Sequence, residues 1–197
     1  MIVIVDYGAG NLRSVENTLA AAGSAYRLAR GAAGLQGAEK IVLPGVGHFG
    51  QMLRSLDAMG LRGAILGRIA AGVPFLGICL GLQALFEDSE EAPGLRGLGL
   101  FPGRVRRFPE GARVPHMGWN RLEAQAGAKL LAGVGERPYV YFAHSYYAPL
   151  CAATAATCEY TEPFTALLES DNIFGVQFHP EKSGNLGLEI VKNFARL

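Results

Sequence analysis

Residues 73–83 read VPFLGICLGLQ. A short, unbroken apolar run bounded by glycine suits a strand buried on both faces, and this one stops at Cys79, held between Gly77 and Gly81. Past the second glycine the spacing predicts a helix over 80–87. A strand that passes directly into a helix forces the residue at the apex into a strained backbone conformation. Side chains on the flanking residues would collide there, and glycine removes the collision. The sulfur of an apical cysteine lies beside the free N–H groups that open the helix, which favours thiolate over thiol. Two readings stay open for this segment, a reactive nucleophile and a small core cysteine at the end of a strand.

A second segment, IFGVQFHPEKS, puts His179 and Glu181 two apart at the end of another apolar run. Read as extended chain, the two side chains face the same way, and Pro180 between them fixes its own φ and restricts His179 to the extended region. Cysteine, imidazole and carboxylate together make a nucleophile, a base and a group that orients the base. Alone, HPE also suits a solvated turn. A third segment, LPGVGHFG at 43–50, follows the strand-like KIVL. Acyl transfer from a carboxamide develops an oxyanion, and two preorganised N–H donors stabilise it. Leu80, the residue after the nucleophile, supplies one, and Gly47 or a neighbour supplies the other; an ordinary Gly-Pro turn is the competing reading.

The elbow GxCxGxQ and the distal HPE resemble the class I, triad-type glutamine amidotransferases. Within that family the segments DYGAGNLRSV, LPGVGHFG, GICLGLQALFEDSEE, PHMGWN, YFAHSYY and GVQFHPEKS, in this order from residue 6 to 183, are similar to the glutaminase subunits of imidazole glycerol phosphate synthase. The resemblance implies Cys79, His179 and Glu181 as catalytic residues, and Gly47 and Leu80 at the oxyanion. It implies Gln83, Glu91, His144, Ser145 and Tyr146 as contacts to L-glutamine, the last three mostly through backbone groups. It further implies a TIM-barrel cyclase as partner in a heterodimer, which receives ammonia and forms imidazole glycerol phosphate and AICAR in histidine biosynthesis. Asn11, Trp119, Tyr141 and Lys182 would face that partner. No cofactor is expected. Alternatives are the glutaminase subunit of another synthase, for anthranilate or pyridoxal phosphate, a stand-alone cysteine hydrolase, and a non-enzymatic subunit. The family pattern suggests a small residue such as alanine at position 48, where this chain has His48, whose ring is expected to point to solvent.

Composition sets bounds without choosing among these. The chain has 197 residues, half of them hydrophobic, enough to bury a sizeable core and consistent with one domain over 1–197. Eighteen basic and 17 acidic residues give a net charge of +1, so no long-range field attracts nucleic acid or an anionic membrane. RVRR at 104–107 reads as a solvated strand face. No apolar stretch is long enough to span a bilayer, and MIVIVDYGAG opens as a strand, so a cytoplasmic location is expected. Cys79, Cys151 and Cys158 form no CxxC, and His48, His116, His144 and His179 are scattered without ligand spacing, so no disulfide framework or metal site is expected. GAGN at 8–11 lacks the GxGxxG and Walker patterns and reads as a strand-to-helix turn.

The order of apolar runs predicts an α/β fold with an open, mostly parallel sheet flanked by helices and carrying an antiparallel extension. Strands are expected at 2–5, 24–29, 40–43 and 73–78, with helices near 11–22, within 50–71 and at 186–196. Strands at 98–108, 138–143, 150–158, 164–169 and 173–179 are assigned to the extension, and 90–99 reads as loop. Ligands bind such sheets at the carboxyl ends of the strands, where Cys79, PGVG and His179 all fall.

Overall fold

The computed structural model of the protein describes residues 1–9, 11–135 and 138–197; Gly10, in the GAGN turn, lies outside them. The N-terminal half alternates as expected: β1 (Ile2–Val5), α1 (Leu12–Ala21), β2 (Tyr26–Ala29), β3 (Lys40–Gly45), α2 (Phe49–Ala58), α3 (Leu61–Ala70), β4 (Phe75–Cys79) and α4 (Leu80–Gln83). The remainder comprises β5 (Phe86–Ser89), β6 (Phe101–Arg107), β7 (His116–Arg121), β8 (Glu123–Ala124), β9 (Tyr139–His144), β10 (Tyr146–Tyr147), β11 (Thr154–Glu159), β12 (Pro163–Ser170), β13 (Ile173–Val176) and α5 (Gly184–Arg196).

Eight strands form the main sheet in the order β2-β1-β3-β4-β13-β12-β11-β8. The first five are parallel and the last three add on antiparallel. Strand side chains alternate between two buried layers. Ile2, Ile4, Val42, Leu76 and Ile78 join α1 and α5 on one side, while Val3, Val5, Ile41, Leu43 and Phe75 join α2 and α3 on the other. Burial on both faces is why these strands read as unbroken apolar runs.

Three expectations are corrected. The helix after Cys79 is a single turn; Phe86 is fully buried and its segment is drawn into a strand beside β6. β13 lies parallel to β4 and inside the main sheet, so it closes the parallel core instead of belonging to the extension. The 98–108 and 138–143 strands leave the main sheet altogether: β6 pairs with β5 and β10, and β9 forms a two-stranded ribbon with β7, which the sequence analysis does not assign as a strand.

Candidate active site

Three adjacent parallel strands, β3, β4 and β13, deliver the candidate residues at their carboxyl ends. At the end of β4, Cys79 has φ 53° and ψ −105°, a conformation that costs a non-glycine residue about 1–3 kcal/mol and persists only where the surroundings enforce it. They do so by contact. A Cβ on Gly77 would lie 2.5 Å from the Gly81 carbonyl oxygen, and one on Gly81 would overlap the Leu43 carbonyl. Only one turn of helix stands behind the sulfur, and Cys79 at its head makes no side-chain hydrogen bond to that turn's N–H groups.

Beyond β13 the chain bends at Gln177 and Phe178 and is extended again at His179 (φ −101°, ψ 99°). Its backbone N–H donates to the Tyr141 carbonyl at 2.9 Å, and its own carbonyl accepts from Ser183 Oγ at 2.7 Å. Glu181 does not continue an extended pair as the spacing suggests. A 3-10 turn over Pro180–Lys182 swings it back, so that Nδ1 of His179 meets Glu181 Oε1 at 2.8 Å with the two side chains 3% and 4% exposed. The nitrogen left for the sulfur is Nε2. Burial by itself would push this imidazole down, but the neighbouring Cys79 sulfur, by charge and hydrogen bond, and then Glu181 outweigh it and raise the pKa to about 10. The cationic form of the ring is favoured by the sulfur and by Glu181.

A cavity of about 190 Å³ opens over the sulfur, and Gly47, Leu80, Gln83, Glu91, His144, Ser145 and Tyr146 all line it with Cys79. At about 30 Å³ per water, that space suits a small polar metabolite. Gly47 (φ 93°) follows Gly45, which sits opposite Cys79 in the β3–β4 register. Gln83 is buried, and its Nε2 donates to the Tyr146 carbonyl at 2.7 Å and to Gln177 Oε1 at 3.1 Å. Glu91 Oε2 accepts from the Phe49 N–H at 2.7 Å. His144 commits its ring to the structure, Nδ1 to the Tyr146 carbonyl at 2.8 Å and Nε2 to His116 Nδ1 at 3.2 Å. Burial pushes His144 down to about 3 and His116 to about 4, which leaves both rings neutral at neutral pH. His48 is exposed, yet its ring does not simply point to solvent: Nδ1 accepts from Gly50 N at 3.0 Å and caps α2.

Beside the cavity mouth, the β7–β9 ribbon is two-faced. His116, Phe142 and His144 are buried inward, while Met117, Trp119 and Tyr139 are 63%, 56% and 56% exposed on the outer face. Trp119 stands edge-on to Tyr141, ring centroids 6.1 Å apart, and Lys182 Nζ lies 5.7 Å above the Tyr141 ring. Asn11 is exposed at the head of α1, which packs against the turn bearing Lys182. Gln177, Met117 and Tyr139 carry no motif in the sequence that marks them. The two exposed residues follow from strict alternation once β7 and β9 are known to be strands.

Among the described residues no group of three or more His, Cys, Asp or Glu side chains is placed to hold a metal ion, and no helix is long and apolar enough to cross a membrane.

Residues 3–197 match the glutamine amidotransferase class-I family. The chain is 50% identical to the imidazole glycerol phosphate synthase subunit HisH of Methanothermobacter thermautotrophicus, covering 100% of this chain and 98% of that one. It is 46% identical to the subunit of the same name from Deinococcus radiodurans, covering 99% and 93%. Among solved structures, a crystal structure of a glutamine amidotransferase superimposes with a TM-score of 0.78 at 18% identity over 98% of both chains, a likeness of fold.

Proposed function

The chain belongs to the class I glutamine amidotransferases, and on that premise we propose that it is the glutaminase subunit of an imidazole glycerol phosphate synthase, releasing ammonia from L-glutamine for a cyclase partner. The observation that carries the reading is the strained Cys79, fixed by two glycines that tolerate no side chain and backed by a His179–Glu181 pair.

In this mechanism the Cys79 thiolate attacks the carboxamide carbon of glutamine. The carbonyl oxygen takes up negative charge, opposed by the Leu80 N–H and a second donor at Gly47. His179, protonated and held by Glu181, gives its Nε2 proton to the departing nitrogen; the C–N bond breaks, and ammonia leaves behind a thioester. Water then adds to the thioester carbon as neutral His179 takes its proton, the C–S bond breaks, and glutamate is released with the thiolate and imidazolium restored. Glu91, with one oxygen held at the head of α2 and the other available, suits the α-ammonium of the substrate.

Ammonia is protonated in water and its ammonium form is not nucleophilic, so a partner must receive it directly. The exposed aromatic face of the β7–β9 ribbon, next to the cavity, supports docking there: Trp119 and Tyr141 are anchors of the kind that concentrate binding energy, and Lys182 extends the same patch. Asn11 extends the surface along α1. A TIM-barrel cyclase in a heterodimer is the partner that fits this reading.

Replacing Cys79 by alanine is expected to reduce glutamate release to background while leaving assembly with the cyclase and synthesis from added ammonia intact. Glutamine turnover retained by Cys79→Ala would remove Cys79 as nucleophile.

A further inference from the structure

Gln177 is a polar side chain with no exposure to solvent, two residues before His179. The chain bends at Gln177 and Phe178; Phe178 is fully buried, and Gln177 and His179 both reach the Cys79 sulfur. Gln177 Nε2 lies 3.6 Å from Cys79 Sγ, and Oε1 accepts from Gln83 Nε2. The direction of these bonds is fixed by an atom that cannot change role. The Tyr146 carbonyl is a backbone acceptor, held on its other side by His144 Nδ1. Gln83 must therefore present Nε2 to it, and the second hydrogen of that Nε2 requires an acceptor at Gln177. Turning the Gln177 amide over would set N–H against N–H at Gln83 and oxygen against the sulfur. Only one orientation satisfies every group, and it aims an N–H at Sγ.

We infer that Gln177 is a positioning residue for the nucleophile: its side-chain amide, oriented through Gln83 by the Tyr146 carbonyl, donates a hydrogen bond to the Cys79 sulfur. This rests on Cys79 being the nucleophile. Donation favours sulfur as an anion, and its effect is greatest where charge returns to sulfur, as water breaks the thioester and the C–S electron pair leaves on Sγ. His179 has by then taken the water's proton. Gln177 is the second donor to the departing thiolate and does not depend on a proton in transit.

The test uses the full chain with Gln177→Met, which keeps volume and removes the donor. Iodoacetamide labelling of Cys79 is followed against pH and located by peptide mapping, because Cys151 is also partly accessible. The expected result is an upward displacement of the labelling midpoint by about half to one pH unit, with kcat for glutamate release in the cyclase complex falling about 3–10-fold at nearly unchanged KM. A merely structural role would lower stability without moving the midpoint, so an unchanged midpoint and kcat in folded Gln177→Met overturns the inference. If that variant does not fold, Gln177→Asn carries the test: it stays uncharged and keeps an amide but, one methylene shorter, withdraws its N–H from the sulfur. An upward midpoint supports the inference and an unchanged one overturns it. Failure of the nucleophile assignment is separately visible as glutamine turnover by Cys79→Ala.

Discussion

At Cys79 a positive φ is enforced by carbonyl groups packed against Gly77 and Gly81, and the same contacts separate glycines that matter from glycines that do not. An alanine at 81 would drive its methyl into the Leu43 carbonyl, a backbone atom of the central sheet that cannot move aside. Gly67, inside α3, has nothing within 4 Å of the position a Cβ would take. Gly67→Ala is therefore expected to stabilise the fold by about 0.5–1 kcal/mol through helix propensity, and Gly81→Ala to destabilise it by more than about 3 kcal/mol or prevent folding. Urea unfolding of the two variants checks both signs. The elbow was legible in the sequence because its constraint is steric and local. Gln177 was not, because a glutamine between valine and phenylalanine carries no pattern. Its role depends on Gln83, 94 positions away, and on a carbonyl at 146.

Among the elements, the β7–β9 ribbon shows what sequence leaves out. Gly118 at φ 138° depresses the strand propensity of HMGWNR, so the alternation that exposes Trp119 and buries His116 is hidden, and composition alone would place a lone tryptophan in the core. The helix expected over 80–87 failed for a related reason, as pairing of β5 with β6 overrode local propensity. The inner face of the ribbon has a measurable consequence. His116 and His144, held down to about 4 and about 3 by burial, take up protons in the unfolded chain near the ordinary value of about 6.5 but not in the folded one. Their depressed values favour the folded state above that pH, and the advantage is lost as pH falls from about 6.5 toward 4. Chemical denaturation at stepped pH should show wild-type stability falling over this window. His116→Phe, which keeps the stacking on Phe142 and Tyr160, should fall less steeply. Equal slopes would mean the pair is not neutral in the folded protein.

For the whole molecule, the alternating first half made the parallel core and its carboxyl-end site readable in advance, since each buried strand announces itself as an apolar run. The second half was readable as strands but not as sheets, because which strand pairs with which is decided by contacts far apart in sequence. The outcome places a strained cysteine, a braced histidine and a small cavity at the carboxyl ends of the central strands, beside an uncovered aromatic ribbon. That adjacency supports the proposal that glutamine hydrolysis here serves a partner seated on the ribbon. The most direct measurement is glutamate release from glutamine by the chain alone, and then with the cyclase subunit and its ribonucleotide ligand. Negligible turnover alone and strong turnover in the ligand-bound complex are expected. Turnover equally fast without the partner, or absent from both, would contradict the proposal.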